Sequence, residues 1–277
     1  MKIIEKFSEL NVKKVGALVA YICAGDPDQH ETKRYVEALV RGGADIIELG
    51  LPFSDPVADG PIIRAGMERA LNSGMNTDLY FELAGSLEVN VPVVAMTYYN
   101  LIFNRGHEKF ARDCTSSGIS GIIVPDLPVE ESEELGFVCK KYGIDLIFLV
   151  GQTTTGPRMD RILDTGTGFI YIVSRPGVTG VKDCDHHLAK DVIMRVHTTL
   201  PKVVGFGISR KEQAYSLVSA GADGVIAGSA FVDIIASGRN VPERLKVLAS
   251  ELKDGIVKGS LLMYSCTQAA QNDTVCH

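Results

Sequence analysis

Eight short apolar runs recur along this 277-residue chain, and they limit its possible folds more than any other feature. They are Ala17–Cys23, Ala44–Leu49, Val91–Thr97, Gly118–Pro125, Ile144–Val150, Gly168–Ser174, Lys202–Phe206 and Ala222–Ala227. Each is rich in Val and Ile and lacks the polar alternation of a half-exposed strand, so each reads as a strand covered on both faces. Between them, Thr32–Gly42, Gly106–Ser117, Val129–Tyr142 and Lys211–Ala220 carry apolar residues at three- and four-residue spacing, the period of a helix with one buried face. Glycine recurs where helix gives way to strand, in Gly42-Gly-Ala-Asp45, Ser117-Gly-Ile-Ser-Gly121, Tyr142-Gly-Ile-Asp145 and Ala220-Gly-Ala-Asp223. Glycine past a helix end takes the left-handed conformation that stops the helix.

Strands that alternate with helices pair in parallel. Eight such units predict an α/β fold, a single (β/α)8 TIM barrel. The competing open, doubly wound sheet usually shows Gly-x-Gly-x-x-Gly after its first strand, whereas here that strand ends Cys23-Ala-Gly-Asp-Pro27. Ahead of the first strand, Ile3, Ile4, Phe7 and Leu10 share one face of an added N-terminal helix. Residues 1–260 are expected to form one barrel domain. Residues 261–277 turn polar and read as a C-terminal tail whose composition permits disorder.

The net charge of −6 argues against a nucleic-acid partner, which would want a basic patch. The N-terminus lacks the long apolar core of a secretory signal, and no stretch reaches the length of a membrane span, so a cytoplasmic protein is expected. None of the six cysteines forms a Cys-x-x-Cys pair, which fits reduced thiols in that compartment. No metal-ligand set is expected, because His186 and His187 are adjacent and lack a third ligand at suitable spacing.

In a barrel, chemistry gathers where strands hand over to helices. The second unit places Glu48 at a strand end and Asp59 on the following loop, a layout suited to acid–base work. An interior carboxylate is costly to bury unless it is used. Asp59 has an equal claim to turn chemistry, since Asp-Gly-Pro opens many helices. Asp126 precedes a helix and reads as its cap. Tyr98, Tyr171 and Phe206 fit either the core or the wall of a pocket for a flat aromatic ligand. Gly180, Gly207, Gly228 and Ser229 fall at three consecutive strand ends and offer unobstructed backbone N–H groups. Gly228-Ser229 also opens a helix, so together they read as an anion site.

These residues closely resemble the tryptophan synthase α-subunit family. The most specific stretch is Glu48-Leu-Gly-Leu-Pro-Phe-Ser-Asp-Pro-Val-Ala-Asp-Gly-Pro61, and agreement continues through Gly25-Asp-Pro27, Tyr98–Phe103, Val124–Pro128, Val173–Gly180, Gly205–Ser209 and Gly228-Ser229. The resemblance spans essentially residues 1–260. It implies retro-aldol cleavage of indole-3-glycerol phosphate to indole and glyceraldehyde 3-phosphate. It makes Glu48 the acid and base and gives Asp59 the indole N–H. Tyr171 stands beside them, Tyr21, Tyr98 and Phe206 line the indole pocket, and Gly180, Gly207, Gly228 and Ser229 hold phosphate. Thr179 belongs to a loop that closes over the site. The resemblance implies no cofactor in this chain, with pyridoxal phosphate in a partner β subunit of an α2β2 complex that receives the indole. Asp55 is the candidate partner contact. A free-standing lyase and a non-catalytic activator of the β subunit are the alternatives within the family. Arg64, where Gln is common, and Cys23, where Thr is common, depart from the family pattern, and Pro176 stiffens the closing loop.

Overall fold

Strand β1 (Ala17–Cys23) is buried along its whole length and pairs in parallel with β2 (Ile46–Gly50) on one side and β9 (Gly224–Ala227) on the other. From β2 the pairing runs through β3 (Val93–Met96) and β4 (Ile119–Ile123) to β5 (Asp145–Ile147). From β9 it runs through β8 (Lys202–Gly205) and β7 (Ile170–Val173) to β6 (Leu149–Val150). All pairs are parallel. The computed structural model that gives this arrangement describes residues 1–173, 186–205 and 207–274.

β5 and β6 together occupy the fifth apolar run and are separated by Phe148 alone. The first half pairs with β4 and the second with β7, so this strand turns the last corner and completes an eight-unit ring. Phe148 still contributes, because its carbonyl accepts the Tyr171 N–H at 3.0 Å.

Helix ends follow the glycine pattern, with one shift of position. Gly118, Gly143 and Gly221 have positive φ, but in the Gly42-Gly43 pair it is Gly43, at φ 101°, that takes the left-handed turn. Gly42 is needed for close approach instead. A Cβ there would lie 2.6 Å from the Lys246 carbonyl of helix Val241–Thr274. The aspartates that follow these glycines lace the lower rim. Asp45 Oδ2 accepts the Leu18 N–H at 2.8 Å and the Lys253 ammonium at 2.6 Å, and Asp223 Oδ2 accepts the Lys202 N–H at 2.8 Å.

Helix Ile3–Val12 closes the same end, with Ile3, Phe7 and Leu10 buried and the Phe7 ring 6.1 Å from that of Phe169. Ile4 does not share that face: it is 54% exposed, and the stem of Lys6 is buried in its place. The inward stripe is Ile3-Lys6-Phe7-Leu10, and Ile4, one residue on from Ile3, is turned about 100° away. The final helix, Val241–Thr274, crosses Ser260 without a break and continues through the segment read as a tail. Leu, Met, Gln and Ala favour helix there, and neither glycine nor proline interrupts them. Ser260 itself is buried and accepts the Gly16 N–H at 3.0 Å.

Candidate active site

β1 and β2 set the floor of a pocket at the upper end of the barrel. Tyr21 and Glu48 are direct register partners, so their side chains leave neighbouring strands on the same face. Both line the pocket, with Asp59, Tyr171, Gly207, Gly228 and Ser229. Ile63, Met96, Ile123, Leu149 and Ile226 supply an apolar wall suited to a flat ring. The sequence reading had not singled these five out. Met96, Ile123, Leu149 and Ile226 belong to runs that read as uniformly apolar, where only the barrel's curvature shows which side chains face inward, and Ile63 comes from helix Pro61–Asn72.

Glu48 is 3% exposed, and its Oε2 has no hydrogen-bond partner among the described residues. Burial, and secondarily the charge of Asp59, pushes its pKa up to about 8. It is therefore a protonated acid at neutral pH. Burial also raises the pKa of Asp59, but the hydroxyl that bonds it works in the opposite direction.

That hydroxyl belongs to Tyr98. It donates to Asp59 Oδ2 at 2.5 Å and accepts the Ala58 N–H at 3.1 Å. Tyr98 is fully buried and stands behind Asp59 rather than among the residues lining the pocket. Helix Pro61–Asn72 begins immediately after this loop, with Gly60 as its N-cap and Pro61 in its first turn. Asp59 thus precedes the cap, and its carboxylate is engaged by Tyr98. Asp126 does cap a helix, but not the one that follows it: its Oδ1 accepts the N–H of Tyr99, in the first turn of helix Tyr99–Arg105, at 2.9 Å.

Two tyrosines reach across the barrel interior by the same device. Tyr21 leans diagonally over Gly50, where a Cβ would lie 2.5 Å from its hydroxyl oxygen, and Tyr171 leans over Gly205 in the same way. A side chain at either glycine would displace a pocket residue. The signal in the sequence is a glycine ending an otherwise apolar, β-branched run.

Helix Pro61–Asn72 is held by two further contacts. Arg69 donates from Nε and Nη2 to the two carboxylate oxygens of Asp26, at 2.8 and 2.7 Å, and Asp26 is fully buried. Gly66 faces helix Ser229–Ala236, where a Cβ would come within 2.9 Å of Val232 Cγ1.

Gly207, at φ 71°, joins Gly228 and Ser229 around one part of the pocket. Thr179, Gly180 and Phe206 lie outside the described residues, as does Pro176. Asp55 is exposed on the loop before Asp59, Arg64 is exposed on the helix after it, and Cys23 is buried at the end of β1 without lining the pocket. Among the described residues no cluster of His, Cys, Asp or Glu is arranged to hold a metal ion.

The family profile described as tryptophan synthase alpha chain matches residues 7–257. The chain belongs to the tryptophan synthase alpha chain family. The tryptophan synthase alpha chain of Methanosarcina barkeri is 56% identical over 94% of this chain and 98% of its own. That of Halobacterium salinarum is 47% identical over 88% and 92%. Among solved structures, a chain of Mycobacterium tuberculosis tryptophan synthase superposes with a TM-score of 0.86 at 33% identity, covering 92% of this chain and 98% of that one. The tryptophan synthase subunit alpha of Legionella pneumophila gives 0.83 at 31% identity, covering 92% and 98%. The resemblance read from Glu48–Pro61 and the barrel read from eight apolar runs thus agree with members of this family along nearly the whole chain.

Proposed function

We propose that this chain is a lyase that cleaves indole-3-glycerol phosphate to indole and D-glyceraldehyde 3-phosphate, the indole passing to a β subunit for tryptophan synthesis. The observation that carries the reading is Glu48, a buried carboxyl with a pKa near 8 and an oxygen that has no partner among the described residues, in the same pocket as Asp59.

The chemistry follows from these groups. Protonated Glu48 gives its proton to the ring carbon that bears the glycerol chain, and the ring nitrogen becomes cationic. Asp59, whose carboxylate form the Tyr98 hydroxyl favours by donating to it, bonds the ring N–H and stabilises the growing charge. The Glu48 carboxylate then takes the proton of the hydroxyl next to the ring. The C–C bond breaks, its electron pair neutralises the ring, and the former alcohol carbon leaves as an aldehyde. Glu48 ends protonated, so the cycle closes without a cofactor. Tyr171 completes the wall beside the two carboxyls. Gly207, Gly228 and Ser229, with Gly180, receive the phosphate through backbone N–H groups at a helix start.

The partner in this reading is a β subunit carrying pyridoxal phosphate, in an α2β2 assembly. Asp55 is exposed on the loop that leads to Asp59. Val57, on the same loop, is 76% exposed, and Phe103, on the helix after β3, is 65% exposed. Exposed apolar side chains of this kind suit a docking face. No helix among the described residues is long and apolar enough to cross a membrane, and a cytoplasmic site of action fits the pathway.

Indole release from indole-3-glycerol phosphate by the purified chain, alone and with a tryptophan synthase β subunit, tests the reading. Weak activity raised strongly by the partner is the expected result. High activity alone would favour a free-standing lyase, and none in either case would overturn the assignment.

A further inference from the structure

Two buried polar atoms in the pocket lack a hydrogen-bond partner among the described residues: Glu48 Oε2 and the Tyr21 hydroxyl. Their residues are register partners on β1 and β2 and line the same pocket, yet they do not bond each other. Such groups are costly to leave unpaired, so a pair of them in a binding pocket marks where a ligand completes the bonding.

The Tyr21 ring is fixed at both ends. A Cβ on Gly228 would touch its Cβ and Cδ1 at 3.3 Å, and a Cβ on Gly50 would lie 2.5 Å from its oxygen. The phenol therefore spans from the anion-binding side of the pocket to the strand that carries Glu48. Burial, with the nearby Cys23, Asp59 and Glu48, holds its pKa well above the usual tyrosine value, so the hydroxyl keeps its proton.

We propose that Tyr21 is a further catalytic residue, whose hydroxyl donates to the substrate oxygen that Glu48 deprotonates. An alcohol satisfies both orphans at once: its oxygen accepts from Tyr21 and its proton goes to Glu48. As the O–H and C–C bonds break, the oxygen carries increasing negative charge on its way to a carbonyl, and a fixed donor stabilises that charge more than it does the ground state. No proton leaves Tyr21, so the balance of the reaction is unchanged. The inference rests on the lyase reading and adds to it the group that holds the oxygen.

Tyr21→Phe tests it, since the ring stays and only the hydroxyl goes. The expected result is a 10- to 100-fold fall in kcat for indole-3-glycerol phosphate with KM within about threefold. Affinity for the phosphate ester of 3-(indol-3-yl)propan-1-ol, which has the ring, chain and phosphate but neither glycerol hydroxyl, should not change. The Tm of the unliganded variant should equal or exceed that of the wild type, because an unpaired buried hydroxyl has been removed. A kcat within twofold of wild type overturns the inference. So does an equal loss of affinity for the dehydroxylated ester, which would make Tyr21 a shaping residue, or a fall in Tm that accounts for the lost activity. Full activity in Glu48→Gln would sink the lyase reading itself, whatever Tyr21→Phe does.

Discussion

The Tyr98 hydroxyl holds the Asp59 carboxylate from behind, 2.5 Å from Oδ2, while its ring stacks on Phe53 with centroids 5.3 Å apart. The loop that carries Asp59 is thereby tied to the helix that follows β3. Asp59 is fixed before substrate arrives, which is the condition for electrostatic stabilisation to act without reorganisation.

Tyr98→Phe removes that tether and keeps the stack. A hydrogen bond to a charged group contributes about 1.5–3 kcal/mol, so kcat is expected to fall about 10- to 100-fold. Tyr98 also lowers the pKa of Asp59. Without it that pKa rises, and the acid limb of the kcat/KM profile should move to higher pH. An unmoved acid limb would show that Asp59 is held some other way.

Glu48→Gln is expected to abolish turnover and also to stabilise the fold in a pH-dependent manner. The carboxyl has a pKa near 4.5 when exposed and about 8 when folded, so the folded state binds its proton more tightly. Its contribution to stability is full below pH 4.5 and is lost as pH rises towards 8. The Tm difference between Glu48→Gln and wild type should therefore widen over that interval and level off above it. The same titration sets an alkaline limb near pH 8 on wild-type activity.

Arg69→Leu should destabilise the protein by about 3 kcal/mol, because Asp26 would be left buried and charged without its partner. Asp26→Asn placed in the same chain should recover part of that loss. Denaturant unfolding of the two single variants and the double variant measures the coupling; simple additivity would mean that the pair does not act as a unit.

Gly50→Ala forces a methyl against the Tyr21 phenol and is expected to cost about 1–3 kcal/mol of stability. The smaller ring-free side chain of Tyr21→Leu should relieve most of it. Unfolding midpoints for Gly50→Ala with and without Tyr21→Leu decide whether the glycine serves the tyrosine or merely a turn.

Gly228→Asp puts a carboxylate at the start of helix Ser229–Ala236 and crowds Tyr21. KM for indole-3-glycerol phosphate should rise at least 10-fold, by charge repulsion at the helix start. An unchanged KM would place the phosphate elsewhere.

The barrel was legible in the sequence because parallel strands covered on both faces have a composition unlike anything else in a soluble chain. The Phe148 break was not, since it depends on which neighbour each half of the strand meets. Glu48 was legible for a physical reason, a carboxylate at the end of a buried run. Its partners were harder to read. Tyr98 fitted either the core or a pocket wall, and it is buried as the first of these has it, while Asp126 read as a local cap; each in fact reaches into the neighbouring βα unit, Tyr98 to Asp59 and Asp126 to the Tyr99 N–H. Ile4 was misplaced because a stripe at three- and four-residue spacing admits either of two adjacent isoleucines, and only the packing of Ile3 against β4 decides between them.

The absence of a side chain at Gly66 lets helix Pro61–Asn72, which begins after Asp59, pack closely on helix Ser229–Ala236 at Val232. If Asp59 and Ser229 hold the two ends of a substrate as proposed, the distance between them is set by that backbone packing. The proposed site would then act as a gauge: a ligand with the same ring and anion but a spacer one carbon shorter would seat only one end at a time.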